Sequence, residues 1–197
     1  MAGPSVDHRR ATAERNAAGI LDATERLLAK GASLNMRAVA AEAGVSRPTL
    51  YAHYKTLGEV VEAAVARVVG ASLAAIEAAE PAAGPANEAL ERMVAASWAQ
   101  LARFDALARG AREHLPPGGV SRTHAPLVKP LHDLVERGRS DGTFRSDVPA
   151  DWLVTMYFAI VHGADDHVHA HRVARRRALE LLTTTLRDVF RAPAAHG

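Results

Sequence analysis

The chain has 197 residues, of which 48% are hydrophobic, and its 24 Lys and Arg against 22 Asp and Glu give a formal net charge of +2. This composition supports a folded core and excludes a disordered chain. Because cysteine is absent, disulfides and thiolate metal sites are excluded, and a reducing compartment is expected. The first ten residues do not resemble a signal peptide, and the longest apolar run, residues 152–161, is too short to span a bilayer. We therefore expect a cytoplasmic protein without membrane contact.

The N-terminal third has apolar residues at spacings of three and four, which predicts helices. A first helix is expected from about residue 12 to Lys30, where a following glycine ends it. Asn35 is a good N-cap for a short second helix, which Gly44 ends. Ser46 then caps a third helix, so this part of the chain is predicted to form a helix, a tight turn and a helix.

The remainder of the chain also has helical periodicity, and the expected fold class is all-α. The helix over residues 152–161 is apolar almost all round, which predicts burial on more than one side. Together with the wide apolar face of the last helix, it predicts a homodimer joined through the last two helices. The other helices are predicted at about residues 56–79, 87–107, 121–139 and 175–190.

The segment from Asn35 to Lys55 resembles the DNA-binding signature of the tetracycline-repressor (TetR) family. The order of the helices, the Gly-Val-Ser turn and the Thr-Leu-Tyr-x-His-Tyr run all agree with that family. The resemblance covers about residues 15–66, whereas the rest of the chain shows only a compatible helical layout.

Two domains are implied by this resemblance. An N-terminal three-helix helix-turn-helix DNA-binding domain would occupy residues 1–57, with a flexible arm at residues 1–11. A helical ligand-binding and dimerisation domain would occupy residues 58–197. The helix from about residue 56 to 79 would link the two domains.

The second and third predicted helices carry the residues expected to contact DNA. Specific recognition requires hydrogen-bonding groups for base edges and anchors for phosphate. Arg47 can reach guanine or phosphate, Arg37 resembles the family's other DNA-contacting arginine, and Tyr51 and His53 resemble its phosphate-contacting pair. The alternative, a merely solvated helix surface, does not explain why no acid lies between residues 43 and 58. The predicted DNA-binding residues are Asn35, Arg37, Ser46, Arg47, Thr49, Tyr51, His53 and Lys55.

One position departs from the family signature. The family usually has a lysine that contacts DNA phosphate where this chain has Leu57. We therefore expect weaker non-specific affinity, with more of the DNA contact carried by the residues of the third helix and by Lys55.

The C-terminal part has a few large apolar side chains, each of which could simply belong to the core. The resemblance implies a small-molecule pocket in this domain, so some of them are expected to line it. The candidate pocket residues are Met93, Trp98, Phe104, Trp152, Met156 and Tyr157.

A histidine-rich segment at residues 162–171 suggests a metal site as an alternative. On a helix, His167 and His171 would share a face at a spacing of four, which suits zinc or nickel. The other interpretation is a polar helix end or loop. An all-α enzyme is a further alternative, although the sequence contains no phosphate-binding loop or nucleophile elbow. We expect neither a cofactor nor catalysis.

The function implied by the resemblance is that of a ligand-responsive transcriptional regulator, most often a repressor that a small molecule releases from DNA. Its partners would be double-stranded operator DNA, a small-molecule effector and a second copy of the chain. A metal-responsive sensor that uses the 162–171 histidines is the alternative.

Overall fold

The structure is a computed structural model that describes residues 4–116 and 125–193. The described residues contain no strand beyond one isolated bridge between Phe144 and Arg191, so the all-α prediction is confirmed. A 3₁₀ turn at Ala125–Leu127 precedes α6. The helices are α1 Pro4–Ala29, α2 Met36–Ala43, α3 Arg47–His53, α4 Leu57–Ala78, α5 Ala86–Ala111, α6 Val128–Ser140, α7 Ala150–His169 and α8 Arg175–Phe190.

The chain divides into two compact units. The first lies within residues 1–68 and 103–123, and the second lies within residues 69–102 and 124–197. Helices α4 and α5 each contribute residues to both units. The domain boundary predicted at residue 57 stays a prediction.

Helix α1 begins at Pro4, about two turns before the expected start. No glycine or proline interrupts the chain between Pro4 and Gly19, and an ion pair between Arg10 and Glu14 supports the extra turns. Residues 4–11, which were expected to belong to a flexible arm, are therefore helical, and residues 1–3 lie outside the described part of the chain.

The turn between α2 and α3 is built by the predicted capping residues. The Asn35 side chain accepts a hydrogen bond from the Ala38 N–H at 3.0 Å. At the other end of α2, Gly44 has a left-handed backbone, and the N–H groups of Gly44 and Val45 donate to the Ala41 and Ala40 carbonyls. This pair of bonds is a Schellman motif, which requires a positive φ at the glycine. The predicted cap and turn are confirmed.

The core of the first unit is formed by α1, α2 and α3 and by parts of α4 and α5. Ile20 of α1, Val39 of α2 and Leu50 of α3 are fully buried. Gly110 of α5 lies so close to Leu28 of α1 that an added Cβ would stand 2.9 Å from its side chain. The short helix α3 is therefore held by burial of Leu50, because seven residues do not form a stable helix alone.

In the second unit, two arginines donate hydrogen bonds to the turn between α4 and α5. Arg92 donates to the carbonyls of Ala79, Glu80 and Ala83. Arg137 of α6 donates to those of Pro81 and Gly84. A turn that would otherwise leave several carbonyls without partners is thereby fixed.

Helix α7 is less buried than its composition predicted. Its inner face includes Leu153, Tyr157 and Val161, which are almost fully buried. Trp152 on the opposite side is 54% exposed, and on α8 Leu181 is 46% exposed. The expectation of burial on more than one side is therefore wrong for the single chain. None of the described helices is long and apolar enough to cross a bilayer.

The turn that follows α7 has a histidine at a position where a glycine is usual. His171 has φ +55°, and the N–H groups of His171 and Arg172 donate to the carbonyls of Val168 and His167. The bond pattern is the same Schellman motif that Gly44 completes after α2, here with a side chain in the left-handed region.

Gly44→Ala is expected to destabilise the protein by about 1 kcal/mol, because an alanine at φ +67° is strained although no neighbouring atom lies within 4 Å of its Cβ. Gly70→Ala is the control: Gly70 lies inside α4 with equal free space, and its substitution should stabilise by about 0.5–1 kcal/mol. Urea denaturation followed by circular dichroism measures both. Equal stability of Gly44→Ala and the unsubstituted protein would contradict the proposed strain.

His171→Gly is expected to act in the opposite direction and to stabilise the protein by a few tenths to about 1 kcal/mol, because glycine removes the cost of a positive φ. His167→Gly is the matched control, since His167 lies within the last turns of α7 and glycine there should destabilise by about 0.5–1 kcal/mol. The same denaturation measurement applies. A destabilised His171→Gly would show that the imidazole stabilises this turn.

Candidate DNA-binding site

Helix α3 has one buried apolar face and one exposed polar face. Leu50 is completely buried, and Tyr54, four residues later, is half-buried. Arg47 and Tyr51 have the same spacing of four and are exposed, so they form a stripe on the outer side of the helix. The N-cap at Ser46, whose hydroxyl accepts from the Thr49 N–H at 3.2 Å, sets where this stripe begins.

Two guanidinium groups of the motif are available for a ligand. Arg37 lies in the first turn of α2 and Arg47 in the first turn of α3, and both are exposed. Within residues 4–116 and 125–193, neither guanidinium forms a hydrogen bond or an ion pair. Arginine provides a planar set of donors that can bind guanine or phosphate with two hydrogen bonds.

Two further candidates are already engaged within the protein. The Thr49 hydroxyl lies 2.7 Å from the Ser46 hydroxyl. The Lys55 ammonium donates to the Tyr51 carbonyl at 2.8 Å. The Lys55 backbone N–H donates to the Glu59 carboxylate at 2.8 Å. These contacts position the side chains, and an incoming phosphate would compete for the Lys55 ammonium.

Thr56 and Glu59 form a capping box at the start of α4 that departs from the usual pattern in one bond. The Glu59 N–H donates to the Thr56 hydroxyl at 3.2 Å, as the motif requires. The Glu59 carboxylate, however, accepts from the N–H of Lys55 rather than from that of Thr56. Glu59 is thus occupied with the backbone at the junction of α3 and α4.

The end of α3 is anchored by aromatic residues. Tyr54 caps the helix, its N–H donating to the Leu50 carbonyl, and burial raises the pKa of its phenol. The ring of His53 lies 6.3 Å from that of Tyr54 at an interplanar angle of 37°. A neutral, half-buried tyrosine here leaves His53 and Lys55 as the polar groups on either side of it.

The acidic residue nearest to α3 in the sequence forms an ion pair. Glu42 of α2 accepts a hydrogen bond from the Arg26 guanidinium of α1 at 2.8 Å. This hydrogen bond lowers the pKa of Glu42, which therefore stays ionised and paired. The carboxylate is directed to α1, which limits its repulsion of a polyanion.

A charged cluster that no sequence pattern predicted holds α1 to α4 and α5 in the first unit. Glu25 accepts from Arg67 of α4 at 2.5 and 2.9 Å and from Arg103 of α5 at 2.6 and 3.0 Å. Arg67 also donates to Asp22 at 2.6 Å. Burial opposes ionisation of Arg67, but the hydrogen bonds that it donates to Glu25 and Asp22 outweigh this effect and raise its pKa. The only sequence signal was two acids three residues apart on α1.

The pocket candidates do not lie together. In the second unit Met93, Trp98 and Tyr157 are buried, and the Tyr157 hydroxyl lies 2.9 Å from that of Ser97. Burial raises the pKa of Tyr157, which therefore stays neutral. Trp152 is exposed, Met156 is half-buried and Phe104 belongs to the first unit. The assignment of pocket residues stays a prediction.

The histidine pair is not arranged as the metal alternative requires. Helix α7 ends at His169, so His171 lies beyond it with a left-handed backbone and does not share a helix face with His167. Among the described residues, no group of three or more His, Cys, Asp or Glu is arranged to hold a metal ion.

Comparison with known proteins identifies related chains. The family model "Bacterial regulatory proteins, tetR family" matches residues 20–64, from the second half of α1 into α4. The HTH-type transcriptional repressor LfrR of Mycolicibacterium smegmatis is 36% identical over 94 residues, which are 48% of this chain and 49% of LfrR. The match thus spans about half the length of that curated relative.

Solved structures extend the likeness to most of the chain at the level of the fold. The fatty acid degradation regulator FadR from Bacillus halodurans aligns with a TM-score of 0.75 at 17% identity and covers 88% of this chain and 99% of its own. LfrR from Mycobacterium smegmatis in complex with proflavine aligns with a TM-score of 0.65 at 21% identity and covers 90% of this chain and 97% of its own.

These findings agree with the residues from which the resemblance was drawn. The family model covers the capped turn at Gly44, the buried Leu50 and the exposed stripe of α3. Residues 20–64 therefore match the tetR family of bacterial regulatory proteins, and the solved structures share the fold over most of the chain.

Proposed function

We propose that this chain is a ligand-responsive, DNA-binding transcriptional regulator that acts as a repressor. The observation that carries the proposal is the exposed stripe of Arg47 and Tyr51 on a helix whose position is set by the Gly44 turn, the Ser46 cap and buried Leu50. A short, rigidly held helix with outward donors suits the major groove of DNA. The family match over residues 20–64 supports the same function.

In this proposal the contacts have different roles. Arg47 in the first turn of α3 reads a guanine edge or binds phosphate, because the N-terminal residues of a recognition helix reach the base edges. Tyr51 and His53 bind phosphate and set the register, and Lys55 adds a cation after exchanging its bond to the Tyr51 carbonyl. Arg37 on α2 contacts the DNA backbone or a base beside them.

The regulator acts as a homodimer that joins through α7 and α8. The exposed apolar side chains Trp152 and Leu181 support this arrangement, because burying them against a second copy removes apolar surface from water. A two-fold dimer presents two copies of α3 to successive major grooves, about 34–36 Å apart, on a near-palindromic site.

A small molecule bound in the second unit controls the affinity for DNA. The complex of the related repressor LfrR with proflavine supports an effector of this size. The ligand must bind more tightly to a form whose two α3 helices do not match the groove spacing, since only differential affinity shifts the equilibrium.

Arg47→Ala is expected to weaken binding to the operator by about 1–3 kcal/mol, and addition of Tyr51→Ala should weaken it further. If Arg47 binds phosphate, its substitution also lowers the slope of log K against log salt by about 1. If Arg47 contacts a base, its substitution lowers the sequence specificity instead. Gel shifts with DNA upstream of the chain's own gene measure the effect. Arg176→Ala is the control, because this exposed arginine lies on α8. Tight, specific binding by the double variant would overturn the assignment.

Leu57→Lys is expected to strengthen binding to any duplex at low salt, because it adds a cation where the family usually has one and should increase the salt slope by about 0.9. Leu57 is half-buried at the first position of α4, so a long flexible side chain can reach solvent there. Leu57→Gln is the neutral control of similar polarity. Affinity that is the same for both variants at low salt would contradict the missing phosphate contact.

A further inference from the structure

The second unit contains a buried carboxylate that the DNA-binding motif does not use. Asp165 of α7 has a side chain that is only 1% exposed. A buried charge of this kind is costly unless a cation and hydrogen bonds compensate it. The partners of Asp165 therefore indicate what kind of cation this location accepts.

Arg175, the first residue of α8, provides that cation. Its Nη1 lies 3.0 Å from Oδ1 of Asp165, and its Nη2 donates to the Trp98 carbonyl. The centre of the guanidinium lies 4.5 Å from the centroid of the Trp98 ring. A planar cation is thus held by a carboxylate, a carbonyl and an aromatic face at the same time.

The carboxylate retains capacity for another donor. Within the described part of the chain, Oδ2 of Asp165 has no well-directed hydrogen bond, although Nδ1 of His169 lies 2.9 Å away. The same Nδ1 lies 3.0 Å from the Asp165 carbonyl oxygen, and one ring N–H cannot satisfy both oxygens well. The contact between Nδ1 and Oδ2 is therefore weak, because a short distance without hydrogen-bond direction contributes little.

Arg175 can leave this position without unfolding a helix. It follows the irregular turn that contains the strained His171, and the N-cap of α8, Ala174, forms no side-chain hydrogen bond. The Arg175 side chain is 35% exposed, so solvent lies beside it. Its departure alone would leave Asp165 uncompensated, whereas its replacement by another cation would not.

We propose that Asp165 and Trp98 form a binding site for a flat organic cation of the amidinium or guanidinium type, and that Arg175 occupies this site in the free protein. The ligand pairs with the Asp165 carboxylate, stacks on the Trp98 ring and displaces the Arg175 side chain into solvent. Because Arg175 begins α8, displacement changes the restraint on that helix. As a statement about the effector, the inference rests on the regulatory function proposed above.

The test uses 4-aminobenzamidine, which carries an amidinium on a flat ring, and the full-length protein without DNA. Isothermal titration should show saturable binding to the unsubstituted protein. Asp165→Asn, which keeps the shape of the side chain, should weaken binding about tenfold or more. Arg175→Ala should instead tighten binding about tenfold or more, because the internal competitor is removed. Arg176→Ala removes a neighbouring arginine that is 94% exposed, and should change nothing.

A ligand site predicts opposite changes in amidine affinity for the Asp165 and Arg175 variants, which a purely structural ion pair does not. Absence of saturable binding to the unsubstituted protein, or equal affinity of Asp165→Asn, would overturn the proposal. Weaker or unchanged binding by a folded Arg175→Ala would also overturn it. If Arg175→Ala does not fold, Arg175→Gln and the comparison of Asp165→Asn with the unsubstituted protein decide the question.

Gel shifts with and without 4-aminobenzamidine then distinguish the two proposals. Operator binding with no titratable amidine site would overturn the cation site and leave the regulatory function intact. A titratable, Asp165-dependent amidine site in a chain that binds no DNA would overturn the regulatory function and leave the cation site intact. Release of the operator by the amidine would support both.

Discussion

The first unit depends on the Glu25 carboxylate, which accepts hydrogen bonds from arginines on two other helices. Arg67 on α4 and Arg103 on α5 both reach it, and Asp22 provides Arg67 with a second partner. Glu25 is largely buried, so removing it would leave two guanidinium groups without their main acceptor. Because α2 and α3 pack on α1, this ionic cluster also connects them, through α1, to α4 and α5 within the first unit.

Helix α3 has little intrinsic stability. With seven residues, α3 is too short to persist alone, and it is defined by a cap at Ser46, a left-handed glycine before it and one buried leucine. This way of holding α3 leaves most of its surface exposed. Since burial uses only one face, Arg47 and Tyr51 on the other face are available for a polyanion.

The second unit contains another ionic cluster, whose arginine lies beside a turn. Asp165 and Arg175 lie at the ends of α7 and α8, next to a turn that contains a strained histidine, and the guanidinium also covers the Trp98 ring. The Glu25 cluster joins residues that lie within the long helices α1, α4 and α5, and neither of its arginines begins or ends a helix. The arginine beside a turn is the easier of the two to exchange, which is why we place the ligand there.

Local chemistry was sufficient to predict the parts of this protein that depend on neighbouring residues in the chain. The caps at Asn35 and Ser46, the glycine turn and the limits of α8 all follow from short-range hydrogen bonds and helical spacing. The DNA-binding motif is a local pattern too, and the family comparison agrees with it. Its individual DNA contacts stay predictions, because no nucleic acid defines them.

Other features were decided only by the tertiary structure, because they depend on which helices meet. Glu25 and Arg103 are 78 residues apart, and neither stands out in the sequence. Composition predicted that α7 would be buried on several sides, yet packing of the single chain covers only one face and leaves Trp152 exposed. Spacing placed His167 and His171 on one helix face, but the helix ends at His169 and His171 lies in the turn beyond it. Spacing along a chain describes a helix only while that helix continues, and where it ends or what it packs against is determined by distant residues.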